Sequence, residues 1–358
     1  MLRLMVRRSR DVSYLSEDPA LELDGLRDGP AQWWLRGGGD VQRSDDAARV
    51  LTTSERPSVV GYDVIVAAPR PISILVALDP EHASSVLLAH RRAVADALTY
   101  LEERALVVRD RRAGEDRDVP GEWSQVVAFT HGVNRHGEPH VHDHVLVGAR
   151  PAGATNVLDS RSLFAHAPTA DALYRSSLRA GIAATTPYAP WRSFEGVEHV
   201  TGLDEGYRVL WGGHFAERGV KRHWTRDEVR SKWDADLARF ETHGSPTVPL
   251  RSRSYLDEHT FRAALDGRST IARRHVVEAW ANAAAFGLDA TRVTASVDVL
   301  YPVLRDSRGV RETPLSLRDA RMIAETRECG PRPLDARELA SWRQRSRDRS
   351  IEVNGRSR

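Results

Sequence analysis

Leu2, Leu4 and Val6 are interleaved with Arg3 and Met5, the period-two pattern of a short strand. A β-branched run from Tyr62 to Ala68, ended by Pro69, predicts a second. From Asp79 to about Ala105 the period changes: Val86, Val94, Leu98 and Leu101 recur at helical spacing. Asp79 suits the N-cap of that helix and Pro80 its first turn. Leu106–Arg111 and Gln125–Thr130 read as two strands joined by a polar loop, Val141–Val147 as the next strand, and a helix is expected within residues 160–184. Residues 19–50, with their turn formers and the pair Trp33-Trp34, carry no clear period. Strands with short links between them, alternating with two long helices, predict an α+β architecture: an antiparallel sheet with helices on one face.

Residues 185–245 are mixed and contain Trp191, Trp211, Trp224 and Trp233, which as a group are expected in the core. A Ser/Arg/Pro stretch follows around 244–254. Residues 257–345 then read as largely helical and charged, with one apolar run, Val297–Leu304. The polar, basic tail from Arg343 is expected to be disordered.

Composition narrows the classes. At 358 residues the chain has room for a core-bearing domain and a smaller one. Lys221 and Lys232 are its only lysines, so the positive charge is almost all arginine. Guanidinium binds phosphate bidentately, which suits a nucleic-acid partner; a GC-rich coding sequence gives the same bias. Cys329 stands alone, which excludes an intramolecular disulfide and a zinc–cysteine cluster. No apolar stretch approaches a membrane span, and Arg7, Arg8 and Arg10 follow the first apolar run where a signal peptide would have its charges before it. The expected location is cytoplasmic, without membrane insertion. A P-loop is absent, so nothing suggests an ATP-driven motor.

The segment Phe129-Thr-His-Gly-Val-Asn-Arg-His-Gly-Glu-Pro-His-Val-His-Asp-His-Val-Leu-Val147 is the most informative. On a strand, His140, His142 and His144 share one face, and Val141, Val145 and Val147 the other. That sets the valines against the helices and the imidazoles on the open face, with His131 reaching in from the preceding strand. Such a row is a ready divalent-metal site, and three neutral nitrogens leave positions open for water or substrate. The cluster alone does not name a reaction.

His131-x10-His142-x-His144, preceded by Val127-Ala-Phe-Thr130, resembles the histidine motif of the conjugative relaxases related to the N-terminal domain of the TrwC/TraI proteins. These MobF-type proteins are HUH endonucleases. Gly61-Tyr-Asp-Val-Ile-Val-Ala-Ala-Pro-Arg-Pro-Ile-Ser-Ile-Leu75 is similar to the family's second strand and loop. Leu158-Asp-Ser-Arg-Ser-Leu-Phe164 with Ala172-Leu-Tyr-Arg-Ser-Ser-Leu178 is similar to its following helix. The resemblance covers about residues 1–240. It implies a relaxase palm-like domain at 1–245, a helical region at 246–345 and a tail at 346–358.

It also implies an activity: metal-dependent, site- and strand-specific nicking and rejoining of single-stranded DNA at an origin-of-transfer-like site, in conjugation or plasmid mobilisation. Its metal ligands would be His131, His142 and His144, with Mg²⁺ or Mn²⁺ foremost and Zn²⁺, Co²⁺ or Ni²⁺ as alternatives. The nucleophile would be Tyr14, the only tyrosine before position 62. Asp63 would help that phenol or orient a ligand histidine. Arg135 and Arg70 take the places of family phosphate contacts, Arg161 is a further DNA candidate, and His140 an alternative or supporting ligand. A coupling protein or an accessory DNA-binding protein is a candidate partner.

Two features depart from the family. Only one tyrosine stands near the N-terminus, and Asp143 sits between the motif histidines, where parity points it away from the metal. Other readings therefore stay open: a non-catalytic DNA-binding remnant acting in regulation, or another histidine-metal phosphodiesterase.

Overall fold

The computed structural model describes residues 1–16, 32–36, 48–51, 58–112, 115–193, 195–212, 224–244 and 271–300. Strands β1 (Leu2–Arg7), β2 (Gln32–Arg36) and β3 (Gly61–Ala67) come first. Helices α2 (Arg70–Leu78) and α3 (Pro80–Ala105) follow, then strands β4 (Val107–Arg112), β5 (Glu115–Pro120), β6 (Val126–Val133) and β7 (Pro139–Gly148), and helix α4 (Ser160–Thr185). Five of these strands form one antiparallel sheet in the order β1-β3-β7-β6-β2.

The two faces of the sheet differ because the strands alternate. Tyr62, Val64 and Val66, Val126 and Ala128, and Val141, Val145 and Val147 point to one side and are buried in the main core with α3 and α4. Each fully buried valine there contributes about 1.5–3 kcal/mol, so the register of β7 is strongly set. The two long helices approach closely: a side chain at Gly181 would meet the Ala89 Cβ at 3.1 Å. The α+β architecture with helices on one face is as expected.

Three elements differ from the sequence expectation. Helix α2 is separate from α3, because Pro80 holds the preceding Asp79 out of helical conformation (φ −124°, ψ 85°) while the Asp79 side chain caps the His82 N–H. Residues 71–76 of α2 are all buried, and at nine residues the apolar run is too short for sequence pattern to tell a helix from a strand. Strand β4 pairs with β5 in its own two-stranded sheet, not with Gln125–Thr130; that segment enters the main sheet as β6. The β4–β5 register sets Arg109 opposite Asp118, Asp110 opposite Arg117 and Arg111 opposite Asp116. Strand β2, containing Trp33-Trp34, lies at the sheet edge beside β6.

Beyond α4 come strands β8 (Pro190–Arg192) and β9 (Glu198–Val200), then helices α5 (Gly206–Leu210), α6 (Arg226–Leu237), α7 (Arg273–Ala283) and α8 (Ala290–Leu300). Val276, Val277, Trp280, Val293 and Val297 join the same core as the sheet. Arg179 of α4 fixes this contact by donating to the carbonyls of Ala281 and Ala284 at 3.3 and 3.0 Å. The expected division at residue 245, the apolar run past Leu300 and the tail at 346–358 lie outside the described residues. Among the described residues, no helix is long and apolar enough to cross a membrane.

The second face of the sheet is partly covered. Val12 and Leu15, from the short helix α1 (Ser13–Ser16) and its approach, pack with Val50, Leu51 and Val60 over Val127, Phe129 and Leu146. The histidines lie next to this small apolar lid.

Candidate metal centre

His131 on β6 stands opposite His142 on β7, and His144 is two residues further along the same face. The three ring centroids are 5.1, 5.2 and 5.4 Å apart, and one nitrogen from each ring lies within 4.8 Å of the other two. Their remaining hydrogen bonds decide the tautomers. His142 Nδ1 faces the His140 carbonyl at 2.8 Å, and His144 Nδ1 faces both oxygens of Asp63 at 2.9 and 3.1 Å. A carbonyl and a carboxylate only accept, so both Nδ1 atoms donate and leave Nε2 with its lone pair. His131 Nε2 likewise donates to the Leu15 carbonyl at 3.1 Å. In its neutral form each imidazole then has one lone pair available, and the three fit a divalent ion.

Electrostatics point the same way. Burial, reinforced by the neighbouring imidazoles, holds His142 well below the ordinary histidine range. Burial and the nearby Arg70 push His140 down to about 4. His140 continues the histidine row, its ring 4.7 Å from that of His142.

Asp63 is buried, and the Arg7 guanidinium lies 3.9 Å from its carboxylate. Arg7 also donates to the carbonyls of Ser9 and Asp11, so it braces the segment after β1. Beside Asp63 and His144 opens a cleft of about 420 Å³, lined also by Met5, Val6, Arg7, Arg8, Ser9, Ile65 and Arg135.

The other expected residues are placed unequally. Arg135 projects from the β6–β7 turn into this cleft. Arg70, at the start of α2, donates to the Pro139 carbonyl at 2.9 Å and lies 3.5 Å from Glu138, bracing the strand that carries His142 and His144. Arg161 is exposed on α4, in the helical layer on the opposite side of the sheet from the histidines. Tyr14 belongs to α1, whose Leu15 carbonyl touches His131.

Residues 34–211, about half of the chain, match the family model described as TrwC relaxase. The chain belongs to the TrwC relaxase family. As a relaxase it is a DNA-nicking enzyme. The matched segment contains every expected site residue except Tyr14, which precedes it. Among solved structures, the chain is similar to conjugative relaxase TrwC in complex with oriT DNA in a copper-bound form. The TM-score is 0.54 and the identity 20%, over 67% of this chain and 98% of that one. A metal-bound TrwC–oriT complex (TM-score 0.52) and TrwC with a 27-mer comprising the recognition hairpin and the cleavage site (TM-score 0.51) match over the same shares at 19% identity. Likeness at this identity establishes the fold. No curated protein matches the chain.

This relaxase uses residues that the sequence reading did not single out. Arg7 shares the site face of β1 with Arg3 and Met5, and alternation could have found it once β1 was paired with β3. Trp224 and Trp233 donate to the carbonyls of Arg135 and Gly137 at 3.0 and 2.8 Å, so residues 224–233 hold the turn that carries Arg135. Gly137 has φ +71°, and the Trp224 ring leaves it no room for a side chain. On the reverse of β7, Asp143 lies 3.5 Å from His90 Nε2, and His90 Nδ1 meets the Tyr174 hydroxyl at 2.8 Å. Burial would raise the Asp143 carboxyl; His90, Thr130 and Arg91 outweigh it and hold it below the usual range.

Proposed function

We propose that this relaxase cuts and rejoins one strand of DNA at an origin-of-transfer-like site through a 5′-phosphotyrosine link on Tyr14. The observation that carries the proposal is the meeting of three imidazoles with the Asp63 carboxylate beside an arginine-lined cleft. The similar TrwC structures are complexes with oriT DNA, in copper-bound and metal-bound forms, which supports the same reading.

In the proposed reaction the Tyr14 oxygen bonds to phosphorus and the P–O3′ bond breaks. The phenol gives up its proton, and the departing 3′ oxygen takes one up. A phenol titrates near 10, so it needs help at neutral pH. A divalent ion held by His131, His142 and His144, with Mg²⁺ or Mn²⁺ the proposed species, would supply a Lewis acid for the phosphoryl oxygen. Asp63 serves as the orienting group for His144, since both its oxygens face that ring. Orienting a ligand histidine is one of its two expected roles. Arg135 binds the strand at the phosphate backbone, while Arg70 positions β7 from beneath. The link conserves the phosphoester bond, so the free 3′ hydroxyl can reverse it and reseal the strand.

The test is a denaturing gel of the protein with labelled single strands tiled from the DNA flanking its own coding sequence, with Mn²⁺. The expected result is a protein–DNA band that survives SDS and disappears in Tyr14→Phe and in EDTA. DNA binding without any band across the tiled set overturns the covalent mechanism in favour of a binding protein. A band that persists in Tyr14→Phe overturns Tyr14 as nucleophile.

A further inference from the structure

Strand β1 is the edge of the sheet, and its site face carries Arg3, Met5 and Arg7. Met5 stands opposite Asp63 in the β1–β3 register; Arg3 stands opposite Ile65, which in turn faces His144 across β3–β7. Met5 is 49% exposed, and Ile65 is half-buried beside it. A single exposed apolar residue calls for no explanation. These two differ because they line a concave site rimmed by guanidinium groups that closes on Asp63 and His144.

The position of the cleft limits what can enter it. If the scissile phosphate lies at the histidines, the next unit of the same strand must pass within one nucleotide of this cleft. A volume of about 420 Å³ lies low in the range of small-ligand sites, roughly 300–1,000 Å³, and has room for one nucleotide. A thioether is polarizable and packs well on aromatic faces, and an isoleucine offers an apolar surface without hydrogen-bonding groups. Arg7 is engaged with Asp63 and with the carbonyls of Ser9 and Asp11, which holds Arg8 and Ser9 beside the cleft. Arg8 and Arg135 are both exposed there.

Resting on the relaxase reading above, we infer that this cleft is a nucleobase subsite. The base of a nucleotide adjoining the scissile phosphate stacks on Met5 and Ile65, and the phosphates around it are held by Arg8 and Arg135. Because neither Met5 nor Ile65 offers a donor or acceptor, the subsite selects by stacking area, purine over pyrimidine, and not by base edges. Met5 is then a specificity-determining residue of the nicking reaction.

The experiment uses the full chain and the strand that gives the covalent band in the assay above. Single 2-aminopurine substitutions are placed at each nucleotide flanking the cut, and fluorescence is read in EDTA, so the signal depends on neither metal nor cleavage. The expected result is a fluorescence change on binding at one flanking position, which Met5→Ala removes there and nowhere else. Met5→Ala also weakens binding of the unmodified strand about fivefold, within the range for loss of a sulfur–aromatic contact. Met5→Leu, which keeps the apolar surface, retains the signal, and an abasic nucleotide at that position makes wild type and Met5→Ala bind alike. Identical profiles for wild type and Met5→Ala, or a loss spread evenly over all positions, overturn the subsite. If the band forms and the profile does not respond to Met5, the subsite alone fails. If no tiled strand gives a band, the relaxase mechanism fails first and the subsite falls with it.

Discussion

Asp63 and His144 sit diagonally across two neighbouring strands, yet the carboxylate receives the His144 Nδ1–H on both of its oxygens, at 2.9 and 3.1 Å. That bond fixes which nitrogen of His144 keeps its lone pair and which way the ring faces. A carboxylate behind a ligand histidine also raises the ligand's basicity. Asp63→Asn is therefore expected to raise the metal concentration needed for half-maximal nicking by about 10- to 100-fold. The check is a metal titration of the wild type and variant, with circular dichroism to confirm the same fold.

Tyr14→Phe and His142→Ala should separate the two halves of the site. The first is expected to abolish the covalent DNA adduct while metal binding, followed by calorimetry, is unchanged. The second is expected to remove measurable metal binding, since only two of the three gathered imidazoles remain.

The β6–β7 turn should behave as a mechanical part of the site. Trp233→Phe deletes the donor to the Gly137 carbonyl and is expected to cost about 0.5–1.5 kcal/mol of stability. Gly137→Ala adds the strain of φ +71° in a residue with a Cβ, about 1–2 kcal/mol, together with a clash against Trp224. Both variants should raise KM for DNA by loosening Arg135, with metal affinity unaltered. Urea unfolding and steady-state nicking on an oligonucleotide would check this.

His90 accompanies a buried carboxylate, 3.5 Å from Asp143. Replacing it by leucine leaves the Asp143 carboxylate in the core without its imidazole, and the expected cost is about 3–5 kcal/mol. A urea midpoint in His90→Leu close to that of the wild type would contradict this account of the pair.

Acid should destabilise the fold through His166. Burial, with Arg274, Arg104 and Arg273 nearby, pushes this imidazole down to about 3, and it stays neutral beside the Tyr100 hydroxyl. The unfolded chain takes up this proton near pH 6.5 and the folded one only near 3. Stability therefore falls as pH drops through that window, by up to about 1.4 kcal/mol per pH unit from this group. Urea midpoints at pH 7 and pH 5 should differ less in His166→Gln than in the wild type.

Much of the site was legible because strand parity is a local rule. Alternation alone put His140, His142 and His144 on one face of β7 and turned Asp143 away, while Asp63 entered through the family resemblance and needed the β3–β7 register to be set on the same side of the sheet. The helix-facing valines followed from the same count. Long-range pairing was not legible. The β4–β5 strands carry alternating charges with little apolar pattern, so their partner could not be read from hydrophobicity. Strand β2 hides among turn formers, and α2 is a nine-residue, mostly buried apolar run that pattern alone does not tell from a strand. The lid formed by Val12, Leu15, Val50 and Leu51 and the tryptophan contacts to the β6–β7 turn join residues far apart in the chain. No local period reports such contacts.

Strand β7 asks opposite things of its two surfaces: imidazoles kept uncharged on one, a carboxylate kept ionised on the other. Sliding the strand by a single residue would drive three imidazoles into the aliphatic core and leave Asp143 and three valines on the face opposite the helices. Misalignment would thus be penalised twice, once by packing and once by charge. The histidine motif doubles as a proofreading device for its own assembly, and a chain that folds at all arrives with its three imidazoles already gathered.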